Sequence, residues 1–262
     1  MTAHLADGFA LTDLTLGYRG APVVEKLNLD LAPGCTALVG PNGSGKSTLL
    51  AGLAKLLRPE RGRIDFDGRY LARIGAKDLA RRVSLLAQAE VPPTGIDVRA
   101  LVSYGRFPYR KPLRGLTAQD NAIIDRALER CGIVGLADRQ VSELSGGQIQ
   151  RVWLACVLAQ DTDWILADEP TTYLDLGHQT AVLRLLRSLH DDSATKVIMV
   201  LHDLNQAIQY ADHLVVLAEG KIVAQGAPAD VIDEQLLREV YGVEATIGRH
   251  PDNGLPLVIP AV

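Results

Sequence analysis

Between Thr36 and Leu50 the chain reads Thr-Ala-Leu-Val-Gly-Pro-Asn-Gly-Ser-Gly-Lys-Ser-Thr-Leu-Leu. Gly40 to Ser47 fits G-x-x-x-x-G-K-[ST], the Walker A phosphate loop. The apolar run Ala37-Leu38-Val39 before it predicts a strand. Leu49, Leu50, Leu53, Leu56 and Leu57 after it predict one face of a helix. Strand, glycine-rich loop and helix in that order constrain the fold to an α/β core built round a phosphate site. Glycines let successive backbone N–H groups turn toward one point, and the helix N-terminus adds partial positive charge. Gly40, Pro41, Asn42, Gly43, Ser44, Gly45, Lys46, Ser47 and Thr48 are therefore candidate nucleotide-binding residues. Lys46 is expected to reach the terminal phosphates, and the Ser47 hydroxyl to ligate Mg²⁺.

On the N-terminal side, residues 8–31 read as β-structure. Leu27, Leu29 and Leu31 alternate with Asn28 and Asp30, as in a half-buried antiparallel strand. Pro33-Gly34 is expected to turn the chain into the phosphate-loop strand. Tyr18 lies in the predicted loop Gly-Tyr-Arg-Gly, where its ring could stack on a purine or simply pack. Beyond the first helix, Pro59 and Gly62 break the pattern and Ile64 to Gly68 reads as a short hairpin. Val83 to Ala87 is another apolar run, ending at Gln88. After the expected loop Val91–Gly95, residues 96–160 carry helical patterns. This predicts an inserted, mainly helical subdomain (90–160) within a nucleotide-binding core (1–89 and 161–262) that holds a mixed sheet and an N-terminal antiparallel β-subdomain.

The helical stretch closes with Leu144-Ser-Gly-Gly-Gln148. A turn feeding a helix start, with Ser145, Gly146, Gly147 and Gln148, is a second place where backbone donors and a hydroxyl can meet an anion, and Ser145 is also a good N-cap. The run Trp164-Ile-Leu-Ala-Asp168-Glu169 then reads as a buried strand ending in two carboxylates. Beside a phosphate loop, Asp168 can hold Mg²⁺ through a water, and Glu169 can accept a proton from water attacking a γ-phosphate. Lys196 to Leu201 predicts a further buried strand. It ends at His202, an imidazole placed where the carboxyl edge of a parallel sheet binds ligands.

Composition narrows the function. Of 262 residues, 47% are hydrophobic, enough for a sizeable core. The net charge, 27 − 31 = −4, lacks the basic footprint of a nucleic-acid binder. Cys35, Cys131 and Cys156 have no ligand spacing and read as small core residues of a reducing compartment. No apolar run approaches the roughly 18 residues of a membrane span, and the first residues lack a signal-peptide pattern, so a cytoplasmic chain is expected.

Taken together, these motifs resemble the nucleotide-binding subunit of an ATP-binding cassette transporter along nearly the whole chain. The resemblance implies that Tyr18 stacks on adenine and that Gln88 contacts Mg²⁺ and the attacking water while its loop faces a membrane partner. It makes Leu144–Gln148 the family signature, Asp168 the Mg²⁺ carboxylate, Glu169 the catalytic base, Asp175 the loop aspartate at a dimer seam and His202 the switch histidine. Ile149 departs from the Arg or Lys common after the signature. A finer resemblance is to importers of iron–siderophores, haem and cobalamin. It rests on Gly105-Arg106-Phe107-Pro108, on Thr171-Thr-Tyr-Leu-Asp175 with His178, and on the tail Val240-Tyr-Gly-Val and His250 to Ile259. The implied cofactors are ATP and Mg²⁺. The implied partners are a second copy of the chain in an ATP-sandwich homodimer, integral membrane permease subunits, and indirectly an extracytoplasmic substrate-binding protein, at the cytoplasmic face of the membrane. The segment Tyr104 to Tyr109, which follows the Gln88 loop, is expected to lie near the permease, so that charge reversal at Arg106 weakens assembly or transport more than ATP binding. The alternatives are a soluble non-transport cassette ATPase and a nucleotide-dependent binding module without hydrolysis.

Overall fold

A computed structural model describes residues 7–31, 34–88, 94–111, 114–172 and 174–261. Pro33, residues 91–93 of the expected Val91–Gly95 loop, the expected boundary near residue 90, and Tyr173 lie outside the described residues. Two compact units are present. One comprises residues 1–74 with 196–262, the other residues 75–195.

The first unit opens with strands β1 (Phe9–Tyr18) and β2 (Ala21–Leu31), an antiparallel pair. Their two-residue turn, Arg19-Gly20, has positive φ at both positions, the form that matches the twist of a hairpin. Tyr18 is thus the last residue of β1 rather than part of a longer loop. The alternation of Leu27, Leu29 and Leu31 faces them inward as expected; Lys26, at φ 50, marks the irregularity that resets the pattern after Val24. Strand β3 (Cys35–Val39) leads into helix α1 (Lys46–Leu53), and β4 (Arg61–Phe66) with β5 (Arg69–Tyr70) forms the expected hairpin across Asp67-Gly68. Phe9 and Phe66, both fully buried, pack ring on ring at 4.6 Å. Helix α1 is shorter than its leucines predict. Lys55 takes φ 61, a left-handed stop, and the Leu56 and Leu57 N–H groups fold back onto the Ala51 carbonyl. Leu56 is consequently 71% exposed and does not belong to the buried face.

The second unit follows with α2 (Ala76–Leu79), β6 (Val83–Leu86), α3 (Val98–Ser103), α4 (Ala118–Arg130), α5 (Gly146–Gln160), β7 (Trp164–Asp168) and α6 (Leu176–Ser193). Strands β6 and β7 run parallel, in register Val83↔Trp164 to Leu86↔Ala167. Arg106, in the 3-10 turn Tyr104–Tyr109, is buried, at 4% exposed, so a charge reversal there acts first on the fold of this unit. Its Nε donates to Asp120 Oδ1 at 2.8 Å and its Nη1 to the Ala159 carbonyl at 3.0 Å, while its guanidinium sits 4.0 Å from the Tyr109 ring centre. Asp120 meanwhile closes the α4 cap, accepting from the Thr117 hydroxyl at 2.7 Å and the Thr117 N–H at 2.9 Å. One buried arginine thereby ties the start of α4 to the end of α5. The exposed side chains of this turn are Tyr104 and Phe107.

The chain then returns to the first unit with β8 (Lys196–Val200), α7 (Leu204–Tyr210), β9 (His213–Ala218), β10 (Lys221–Gly226), the short turns α8 (Pro228–Val231) and α9 (Glu234–Leu236), and a terminal hairpin β11 (Ala245–Arg249) and β12 (Pro256–Pro260). Strand β3 pairs in parallel with β8 and with β9, and β9 pairs antiparallel with β10, giving a mixed sheet. The Asn205 side chain holds the tail by a two-way bond to the Val258 backbone, at 3.1 and 2.8 Å. The expected α/β phosphate-loop class, with an antiparallel β-subdomain and a mainly helical region, is what the chain adopts. Cys35 and Cys131 are buried and Cys156 half-buried.

Candidate functional site

The phosphate loop starts where β3 ends. Gly40 takes φ 144, and a Cβ there would stand 2.0 Å from the Leu217 carbonyl oxygen, so strand β9 leaves no room for a side chain at this position. The loop closes on Lys46, the first residue of α1 and only 5% exposed. Its Nζ donates to the Gly40 and Pro41 carbonyls at 2.9 and 2.8 Å. With no acidic residue in the first turn of α1, the positive end of the helix is not offset from within. The loop is anchored from below: the Gly220 N–H donates to the Ser44 carbonyl, and the Gly220 carbonyl accepts from Glu25 of β2. Tyr18, at the turn end of the same β1–β2 pair, is 54% exposed. The register Leu38↔Val200 between β3 and β8 carries His202 to the edge of the sheet where the phosphate loop begins, and its side chain is exposed.

In the second unit, the parallel pairing of β6 and β7 delivers Gln88 and Glu169 to one end of the pair, the carboxyl end at which such folds place ligand-binding groups. Asp168 is the last residue of β7 and half-buried. Glu169 follows at φ 50, a left-handed backbone that costs a non-glycine residue free energy and persists only where the surroundings hold it. They do so here through the side chain. Glu169 Oε2 accepts from Gln88 Nε2 at 2.7 Å and from the Thr172 hydroxyl at 3.0 Å. Thr172 had no role in the sequence reading; its signal is its position three residues on, in the turn that its own N–H closes onto the Glu169 carbonyl.

The signature turn lies on the surface of the same unit. Ser145 occupies the N-cap position of α5, and its N–H donates to Gln148 Oε1 at 3.0 Å. Ser145 and Gly146 are exposed; Gly147 and Gln148 are half-buried. Asp175 caps α6, accepting from the His178 N–H at 2.9 Å and meeting His178 Nδ1 at 2.8 Å. These bonds, the backbone one first, hold its carboxyl below the ordinary range. The far side of the His178 ring lies against Gly147, where an added Cβ would come 3.4 Å from Cδ2. Gln150 Nε2 donates to the Pro170 carbonyl at 3.1 Å. His178 and Gln150 thus tie the signature turn to the segment after Glu169, and motif spacing alone gave Gln150 no such role.

No cluster of three or more His, Cys, Asp or Glu fit to hold a metal occurs among the described residues. Each unit by itself presents hard oxygen donors: the Ser47 hydroxyl in the first, the Asp168 carboxylate and the Gln88 amide oxygen in the second. Oxygen donors of this kind suit Mg²⁺, which keeps waters and takes much of its coordination from substrate phosphates.

Comparison with known proteins gives the family. The family described as ABC transporter matches residues 24–172. The Ferric enterobactin transport ATP-binding protein FepC of Escherichia coli (strain K12) is 45% identical over 248 residues, which are 94% of this chain and 92% of that one. The chain belongs to the ABC transporter family. As an ABC protein it is a nucleotide-binding ATPase subunit. The Hemin import ATP-binding protein HmuV of Rhodococcus jostii (strain RHA1) is 43% identical, over 97% of this chain and 85% of that one. Among solved structures, an inward-facing transporter described as of the metal-chelate type superposes with a TM-score of 0.84 at 25% identity, covering 98% of both chains. No helix of the described residues is long and apolar enough to cross a membrane.

Proposed function

We propose that this ABC subunit hydrolyses ATP to drive a permease that imports an iron–siderophore or a related chelate, haem or a corrinoid. The identity of 45% with a ferric enterobactin transport protein, sustained over 94% of the chain, carries this reading. Tyr18 stacks on adenine, and Gly40 to Thr48 cradle the phosphates with Lys46 neutralising their charge. Mg²⁺, held by Ser47, Asp168 and Gln88, would offset the negative charge of the β- and γ-phosphates. Glu169 takes the proton from the attacking water, which Gln88 orients, and His202 contacts the γ-phosphate.

Two copies work together. The exposed Ser145-Gly146 turn of one, with Gly147 and Gln148, meets the nucleotide on the loop of the other, and Asp175 lies at the seam. Residues 90–160 form the signature-bearing subdomain, and residues 1–89 with 161–262 the nucleotide core. The dimer docks on permease subunits at the cytoplasmic face of the membrane, and an extracytoplasmic binding protein delivers the cargo.

Deleting the gene should abolish uptake of at least one iron-labelled siderophore, haem or labelled cobalamin, and restoring it should recover uptake. Normal uptake of all three classes, with a defect for a sugar or amino acid instead, would refute the import reading.

A further inference from the structure

The turn after Glu169 is tied down at several points, all within the second unit. Pro170 is buried, and its carbonyl accepts from Gln150 Nε2 of α5 at 3.1 Å. The Thr172 N–H closes the turn on the Glu169 carbonyl at 3.2 Å. Thr172 is half-buried, and the branch at its Cβ leaves it few side-chain conformations. Its hydroxyl donates to Glu169 Oε2 at 3.0 Å. A hydroxyl has one proton to give, and among the described residues the Thr172 hydroxyl bonds only Glu169. The same carboxylate oxygen accepts from Gln88 Nε2 at 2.7 Å. The two donors differ in what else they must do. Gln88 is exposed, and in the proposed reaction its amide also serves Mg²⁺ and the attacking water. Thr172 has no second task there.

We infer that Thr172 is a positioning residue for hydrolysis: its hydroxyl sets the orientation of the Glu169 carboxylate and keeps it while Gln88 is engaged with metal and water. This rests on the proposed role of Glu169 as base. A Glu side chain turns about several bonds, and only a carboxylate that faces the water can take its proton. Without the Thr172 bond the carboxylate samples orientations that miss the water, and the fraction of bound complexes ready to react falls. The phosphate loop is untouched by that loss, so ATP affinity stays. A fall in kcat at constant KM is the mark of an interaction that acts on the transition state alone.

Thr172→Val keeps the size, the branch and the backbone N–H, and removes the donor. Its kcat should fall about tenfold, the scale of one charge-assisted bond, with KM and ATP affinity unchanged. Thr172→Ser restores the hydroxyl on a less constrained side chain and should recover turnover to within about threefold of wild type. A second arm uses the full chain without nucleotide. The Gln88 side-chain amide resonances report the same carboxylate, and Glu169→Ala gives their released position. Thr172→Val should move them toward that position, and Thr172→Ser should leave them at the wild-type one. Wild-type kcat in Thr172→Val, or Thr172→Ser as slow as Thr172→Val, would overturn the role. So would a raised KM with kcat unchanged, which assigns Thr172 to binding. Gln88 resonances unmoved in Thr172→Val would show that the carboxylate is held without this hydroxyl. A wild-type protein that hydrolyses no ATP, or normal turnover by Glu169→Gln, overturns the functional reading and the catalytic role together, and the nucleotide-free arm still decides whether Thr172 holds the carboxylate.

Discussion

Glu169→Gln protein should bind ATP as tightly as wild type and lose turnover by about 10²-fold or more, the scale of general-base removal. The substitution keeps the volume of the side chain and its place in the turn. The Thr172 hydroxyl, 3.0 Å from Oε2, can donate to an amide oxygen as it does to the carboxylate. The φ of 50 at this position is no worse for Gln than for Glu, so the backbone need not move. What disappears is the acceptor for the proton of the attacking water. Steady-state phosphate release, with nucleotide affinity measured in parallel, checks both halves. Turnover within a few-fold of wild type would remove Glu169 from the role of base.

Arg106→Glu should unfold or strongly destabilise the helical part of the second unit. Breaking a buried ion pair costs about 3–5 kcal/mol, and reversal adds a second carboxylate opposite Asp120 where domains have only about 5–15 kcal/mol in hand. The change also strips donors from the Ala159 carbonyl and the cation from the Tyr109 ring. A fall in denaturant midpoint seen without nucleotide or partner is expected; an unchanged midpoint would show that the pair carries no stability. The same cluster sets an acid limit. The Thr117 hydroxyl first, then the Thr117 N–H and Arg106, hold the Asp120 carboxyl at about 2. A carboxyl depressed in the folded state stabilises it fully above its ordinary value of about 3.9, and that gain is lost as pH falls through the folded value. The stability gap between wild type and Asp120→Asn should therefore be constant from neutral pH to about 4 and close toward 2.

The contrast between these two residues shows what a sequence can carry. The phosphate loop, the Asp168-Glu169 pair and the signature turn are contiguous, so their chemistry is written in short runs, and the parallel strands around them follow from apolar texture. The buried bonds of Arg106 are not legible in the sequence, because its partners, Asp120 and Ala159, are distant in the chain and Gly-Arg-x-Pro alone looks like a Pro-containing loop. The end of α1 was misplaced because Lys55, with no glycine to announce it, takes the left-handed turn that exposes Leu56. The clamp on Glu169 was half legible: Gln88 came from the resemblance, whereas the Thr172 bond depends on a turn that only coordinates reveal.

The dimeric ATP site is tested most directly by mixing two inactive proteins. Ser145→Arg leaves Lys46 and its loop untouched but fills the space meant for backbone donors. Lys46→Ala spoils the loop and leaves the signature whole. A hybrid dimer joins both defects in one site and neither in the other. Nucleotide retained after rapid removal of free ATP should therefore be near zero for each protein alone and appear in the mixture. No retention in the mixture, or ATP-driven dimerisation and wild-type hydrolysis by Ser145→Arg alone, would contradict a site shared between two copies.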